Sequence, residues 1–160
     1  MALGGKRVEK MDDAGLRAQV AEQLGRLDQK ALTIWAFGCA RRILKRVNPA
    51  LLEEEPVREG FAAGEAWLEG ALRVEPVRRA ALRVHALARS RSVEAEITAL
   101  RSLGQALSVA HVRGHAIGAA DYAVKALSFL GADAPSLIHA ERTQQIRDLK
   151  GEAEDKSGLR

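Results

Sequence analysis

Residues Gln29 to Val47 read QKALTIWAFGCARRILKRV, and this segment predicts a helix with one buried face. Trp35 and Cys39 are four residues apart, so they share one side of a helix within an otherwise apolar stretch. The helix is predicted to end before Pro49, because proline disfavours helical geometry in the residue that precedes it. The segment therefore predicts a core helix, with Cys39 as a buried thiol rather than a reactive one.

The composition of the whole chain also favours helices. Of 160 residues, 29 are alanine and 20 are leucine, the strongest helix formers, whereas Phe, Trp and Tyr together supply only six, which disfavours an all-β fold. The longest segment without a charged residue, Ser102 to Val112, is too short to span a bilayer, and residues 1–10 lack the apolar region of a signal peptide. With a single cysteine, the chain is expected to be a soluble cytoplasmic protein without a disulfide framework.

Seven helical segments are predicted, separated by short connections. Such connections place successive helices antiparallel and adjacent, as a bundle or as a short array of helical hairpins. We therefore predict an all-α fold with a flexible N-terminus over residues 1–12, a single helical domain over 13–150 and a polar tail over 151–160. The predicted helices are Asp13–Leu27, Gln29–Val47, Pro56 to about Gly70, Pro76–Arg89, Val93 to about Val112, His115–Leu130 and a last one that begins near Pro135.

Histidines are the candidate residues for metal binding or catalysis. His111 and His115 are four residues apart, so on a continuous helix they would share a face, as two metal ligands must. His85 and Arg89 have the same spacing, and an arginine beside a histidine suits a carboxylate or a phosphate. The alternative for both pairs is structural, with the side chains hydrogen-bonded between helices. Since no zincin motif, phosphate loop or nucleophile elbow occurs, we predict no cofactor and no active site, and a metal-dependent enzyme is only the third hypothesis.

Basic residues form a second candidate surface. The net charge is +4, and Arg outnumbers Lys by 18 to 7. A basic face can bind nucleic-acid phosphates, but 21 acidic residues are interspersed, so a solvated mixed-charge surface is the alternative. Nucleic acid is therefore the second hypothesis for a partner, after a protein. The basic residues concerned lie on the second and fourth predicted helices: Arg41, Arg42, Lys45, Arg78, Arg79 and Arg83.

Several short motifs follow one another in a fixed order between residues 31 and 148. Together they resemble the all-helical immunity proteins of bacterial polymorphic toxin systems, in the group called immunity family five-like. The motifs are W-A-x-x-C-A at Trp35–Ala40, W-x-x-G at Trp67–Gly70, A-x-x-x-H-A-x-A-R at Ala81–Arg89, G-x-A at Gly104–Ala106, H-x-x-x-H-A-x-x-A-A-x-Y-A at His111–Ala123, and a form of E-R-x-W-Q at Glu141–Gln145.

The chain departs from this family pattern at two places. Pro56-Val57-Arg58 follows the acidic loop where the family usually has Arg-Pro-Arg, and Gln144 replaces the tryptophan of the last motif. The motif residues Trp35, Cys39, Trp67 and Gly70 match the pattern.

This resemblance implies a non-enzymatic binding protein that would neutralise a cognate toxin by direct binding in the bacterial cytoplasm. The oligomeric state, monomer or homodimer, stays open. Shared helix faces and the resemblance together predict that one set of polar residues meets where the fourth to sixth helices pack, as a polar cluster or binding groove. The set comprises His85, Arg89, His111, His115 and Tyr122.

Overall fold

The computed structural model describes the backbone of residues 2–158 and the side chains of residues 13–155. In that part of the chain every regular element is helical, which confirms the all-α prediction and the seven helices. A short 3-10 helix, Pro49–Glu53, separates the second α-helix from the third. The α-helices are α1 (Ala2–Leu24), α2 (Gln29–Val47), α3 (Glu55–Leu68), α4 (Val74–Ser90), α5 (Glu94–Ser108), α6 (His115–Leu127) and α7 (Ala134–Gly158).

The helices form a bundle with α5 at its centre. α5 packs against α2, α4 and α6, whereas α1 packs mainly against α7. α2 also contacts α6 and α7, which are distant from it in sequence. In a linear array of hairpins each unit would contact only its neighbours along the chain. The contacts of α2 with α5, α6 and α7 therefore decide between the two predicted architectures in favour of the bundle.

α2 forms the core helix that its sequence predicts. The carboxylate of Asp28 caps its first turn by accepting a hydrogen bond from the Ala31 N–H at 2.9 Å. Trp35 and Cys39 are both buried, and the indole N–H of Trp35 donates to the backbone carbonyl of Gln145 at 2.9 Å. This long-range hydrogen bond joins α2 to α7 and fixes the register between them.

Alanines account for the close contact between α5 and α6. The hydroxyl of Ser102 on α5 reaches the backbone carbonyl of Ala119 on α6, at 2.7 Å, which requires the two helices to lie side by side. Small side chains at the contact permit this approach without leaving voids. The buried alanines of the two helices are Ala95, Ala99, Ala106, Ala116, Ala119, Ala120, Ala123 and Ala126.

The end of α5 differs from the prediction. The helix ends at Ser108 rather than near Val112, because the side-chain amide of Gln29 donates to the carbonyl oxygens of residues 109 and 110, at 2.8 and 2.9 Å. Arg113, in the following turn, donates to the carbonyl oxygens of Leu24, the last residue of α1, and of Leu27 in the α1–α2 connection. Partners distant in sequence therefore satisfy the backbone at this break, and the helix resumes at His115.

At the two ends of the chain, helical backbone extends beyond the predicted bounds, since α1 begins at Ala2 and α7 ends at Gly158. The side chains of residues 1–12 lie outside the described residues, so the division into 1–12, 13–150 and 151–160 stays a prediction. Within the described part of the chain, no helix is both long and apolar enough to cross a membrane.

Candidate functional site

A set of polar side chains lies on α5 and on the parts of α4 and α6 that pack against it. We call it the α5 groove. The α5 side chains contact histidines that the sequence singles out on α4 and α6. The residues that define it are His85 and Arg89 on α4, Arg101 and Gln105 on α5, His111 in the α5–α6 connection, and His115 on α6.

His85 lies flat on the backbone of α5. A Cβ atom at Gly104 would lie 2.8 Å from Nδ1 of the His85 ring and closer still to Cε1 and Nε2, so only glycine leaves room for the ring. The guanidinium of Arg101 donates to Nδ1 of His85 at 2.8 Å. Because Nδ1 accepts this hydrogen bond, the neutral ring carries its proton on Nε2. Burial lowers the pKa of His85, and the charges of Arg101 and Arg89 lower it further.

His115 is held in a similar way on α6. Its Nδ1 donates to the side-chain oxygen of Gln105 at 2.8 Å, and that oxygen in turn occupies the space that a Cβ at Gly118 would need. The ring of His111 stacks on the ring of His115, with centroids 6.1 Å apart and an interplanar angle of 23°. Burial lowers the pKa of His115, and the neighbouring His111 adds to this effect.

The α5 groove is positively charged and lacks acidic partners among the described residues. Neither Arg89 nor Arg101 forms an ion pair with a described carboxylate, and Arg89 is exposed to solvent. The charged groups that shift the pKa of His85 are two arginines and His115, with no described carboxylate among them. Two guanidinium groups, those of Arg89 and Arg101, thus lie near His85 with no described carboxylate paired to either.

The structure brings together most of the predicted polar cluster. His85, Arg89, His111 and His115 all border the α5 groove. Tyr122 lies on α6 two turns after His115, is half-buried, and makes no described hydrogen bond or ring contact with the other four. The groove also contains three residues that were not predicted from the sequence as site residues: Arg101, Gln105 and Gly118. The G-x-A motif that begins at Gly104 was the one sequence feature that pointed to this part of α5.

Among the described residues, which include both paired histidines, no group of three or more His, Cys, Asp or Glu residues is placed to hold a metal ion. The rings of His111 and His115 stack side by side instead of converging on one point. The Nδ1 atoms of His85 and His115 are hydrogen-bonded to the side chains of Arg101 and Gln105. Both of these partners lie on α5, whereas the side chains of Arg89 and His111 make no described hydrogen bond.

The motif residues outside the groove lie in the core or near a helix end. Cys39 is fully buried, and burial raises the pKa of its thiol, which disfavours the reactive thiolate form. Trp67 is half-buried near the end of α3. Gly70 has φ +79, and its N–H donates to the Trp67 carbonyl at 3.0 Å, so this helix end requires a residue that tolerates a left-handed backbone.

A second polar network centres on α7. Its α7 residues belong to a sequence motif, but their links to other helices were not predicted from the sequence. Arg142 is buried and donates to Asp13 on α1 at 3.0 Å and to Asp121 on α6 at 2.9 Å. The neighbouring Glu141 accepts hydrogen bonds from Arg42 of α2. The E-R-x-x-Q part of the last motif therefore joins α7 to α1, α2 and α6, and Gln144 at its replaced tryptophan position donates to Asp148 at 2.7 Å.

Much of the predicted basic face is neutralised by acidic neighbours. Arg42 pairs with Glu141 and Asp148 and is half-buried rather than free on a surface. Arg41 pairs with Glu65 at 3.6 Å and lies over the ring of Phe61. Arg78 pairs with Glu75, and Arg83 pairs with Glu55 and Glu59. Lys45 and Arg79 are the members without a described ion pair, and both are exposed.

These features define a small all-helical domain whose motif residues build the α5 groove and the α7 network. Residues 22–152 match the family described as Imm-5 like putative immunity protein, and the chain belongs to that family. This assignment confirms the family that the ordered motifs predict. No curated protein and no solved structure matches the chain.

Proposed function

We propose that this protein is an immunity protein that binds a cognate toxin in the bacterial cytoplasm and blocks it without catalysis. The observation that carries the proposal is the family match over residues 22–152, which spans most of the helical bundle. Immunity by direct binding needs a stable scaffold and an accessible surface, and it needs no cofactor.

The described side chains support a binding role over a catalytic one. Cys39 is buried, and burial raises the pKa of its thiol. Nδ1 of His85 already accepts a hydrogen bond from Arg101 and Nε2 of its neutral ring carries the proton, so this ring has no free lone pair with which to act as a general base. The ion pairs of the basic face likewise disfavour nucleic acid as the partner, because arginines already paired with carboxylates release few counterions on binding phosphates.

Co-expression with the toxin encoded by a neighbouring gene tests the proposal. Cells that express the toxin alone are expected to stop growing, and cells that also express this protein are expected to grow. The two purified proteins are expected to elute together from a size-exclusion column. A toxin that kills with equal efficiency in both strains, with no complex on the column, would overturn the proposal.

A further inference from the structure

We propose that the α5 groove receives an acidic segment of the protein partner, and that aspartate or glutamate carboxylates are the groups it recognises. The inference rests on the proposed function only in taking the toxin as that partner. Three observations support it: the donors gathered in the groove, the absence of acidic partners for them among the described residues, and the exposed apolar residues beside them.

The groove offers several hydrogen-bond donors that the described protein does not use. Arg101 donates to His85 through Nη1 only, which leaves its Nε and Nη2 hydrogens available. Arg89 is exposed and its side chain has no described hydrogen bond. A carboxylate accepts two parallel hydrogen bonds from one guanidinium and is the acidic side-chain group that suits this arrangement.

The groove is also held in place before any partner arrives. The His85 ring rests on Gly104, and the Gln105 side chain rests against Gly118. Because these side chains are already ordered, a bound carboxylate would not have to order them at a cost in entropy. The part-buried position of Arg101 would strengthen its attraction for an anion relative to an arginine in open solvent.

Exposed apolar residues beside the groove favour a protein over a nucleic acid. Leu82 is 66% exposed and lies one turn before His85 on α4, and Val112 is 46% exposed beside His111. Apolar side chains that a partner covers contribute to binding in proportion to the area buried, and a protein offers more apolar surface for this than a phosphate backbone does. A duplex would instead need a long row of free cations, and Arg83 on the same helix is already paired with Glu59.

The test measures binding by the wild type and by two charge-reversed variants of α4. Arg89→Glu inverts a groove charge, and Arg79→Glu inverts an exposed charge on the same helix, about 15 Å along the axis. The probes are the toxin of the neighbouring gene, an acetylated and amidated hexaglutamate peptide, and a 20-base-pair DNA duplex. Arg89→Glu is expected to weaken toxin and peptide binding by about tenfold or more, and Arg79→Glu by less than about twofold. Leu82→Ala is expected to weaken the toxin complex and to leave the peptide unaffected.

The outcomes separate this inference from the proposed function. If the toxin binds the wild type and Arg89→Glu equally, the groove assignment is wrong, although the protein remains an immunity protein. If the toxin fails to bind but the peptide binds and Arg89→Glu removes that binding, the groove assignment stands and the toxin partnership fails. Tighter binding of the duplex than of the peptide, lost in Arg89→Glu, would replace the acidic segment by nucleic acid. Wild-type protein that binds none of the three probes would overturn the inference.

Discussion

Gly104→Ala is expected to dismantle the α5 groove by adding a single methyl group. Gly104 is fully enclosed in the middle of α5, and the added Cβ would lie 2.8 Å from Nδ1 of the His85 ring, with two further ring atoms closer. The ring would have to leave its position, and with it the hydrogen bond from Arg101 would be lost. The substitution therefore perturbs both the packing of α4 on α5 and the arrangement of donors.

Three contributions determine how much Gly104→Ala changes the free energy of unfolding. Overpacking a helix contact costs about 1–3 kcal/mol. Loss of the part-buried hydrogen bond between Arg101 and His85 adds about 1 kcal/mol. Alanine is a better helix former than glycine, which returns about 1 kcal/mol. The free energy of unfolding is therefore expected to fall by about 1–3 kcal/mol, within the range of the overpacking cost alone.

Urea unfolding followed by circular dichroism measures this change. Gly15→Ala is the matched control, since no atom lies within 4 Å of its added Cβ and the residue is an exposed glycine of α1. That variant is expected to raise the free energy of unfolding by about 0.5–1 kcal/mol. In the double variant His85→Ala, Gly104→Ala the ring is gone, so the alanine at residue 104 is expected to cost little beyond His85→Ala alone.

An increase in stability for Gly104→Ala equal to that of Gly15→Ala would contradict the proposed contact. Equal effects of Gly104→Ala with and without the His85 ring would contradict it as well, because the penalty would then come from another neighbour.

Three further predictions concern other parts of the bundle. Arg142→Met is expected to lower the free energy of unfolding by about 2–3 kcal/mol in urea titrations, because Asp13 and Asp121 lose a buried partner while remaining about a third exposed themselves. Cys39 is expected to react with a thiol reagent such as DTNB only after unfolding; rapid labelling of the native protein would show that the thiol is accessible. Because the pKa of His85 is lowered in the folded protein, the unfolded chain binds a proton on this residue more readily than the folded protein does. His85 therefore stabilises the folded protein at pH values above the pKa of the unfolded state, and this stabilisation is lost as the pH falls. The difference in unfolding free energy between about pH 7.5 and pH 5.5 is expected to be smaller for His85→Gln than for the wild type, and an unchanged difference would contradict that role.

Part of the candidate site was predictable because helical spacing is local. His85 with Arg89, and His111 with His115, each lie four residues apart, and the order of the motifs indicated that these pairs face the same helices. Arg101 and Gln105 were not predictable in the same way, since nothing in the residues around them shows which ring nitrogen they reach. Their role depends on the distance between α4, α5 and α6, which only the packed helices define.

The helices and the family of this protein could be read from the chain alone, because helix formation, capping and motif order depend on residues that are near one another in sequence. Asp28 caps the start of α2, and Gly70 adopts the left-handed backbone that follows the end of α3. The choice of a bundle over an array, the pairing of Arg42 with Glu141, and the unneutralised charge of the α5 groove depend on residues brought together from distant helices. Charge in a sequence can be counted, but only the tertiary structure shows which charges are already paired with one another.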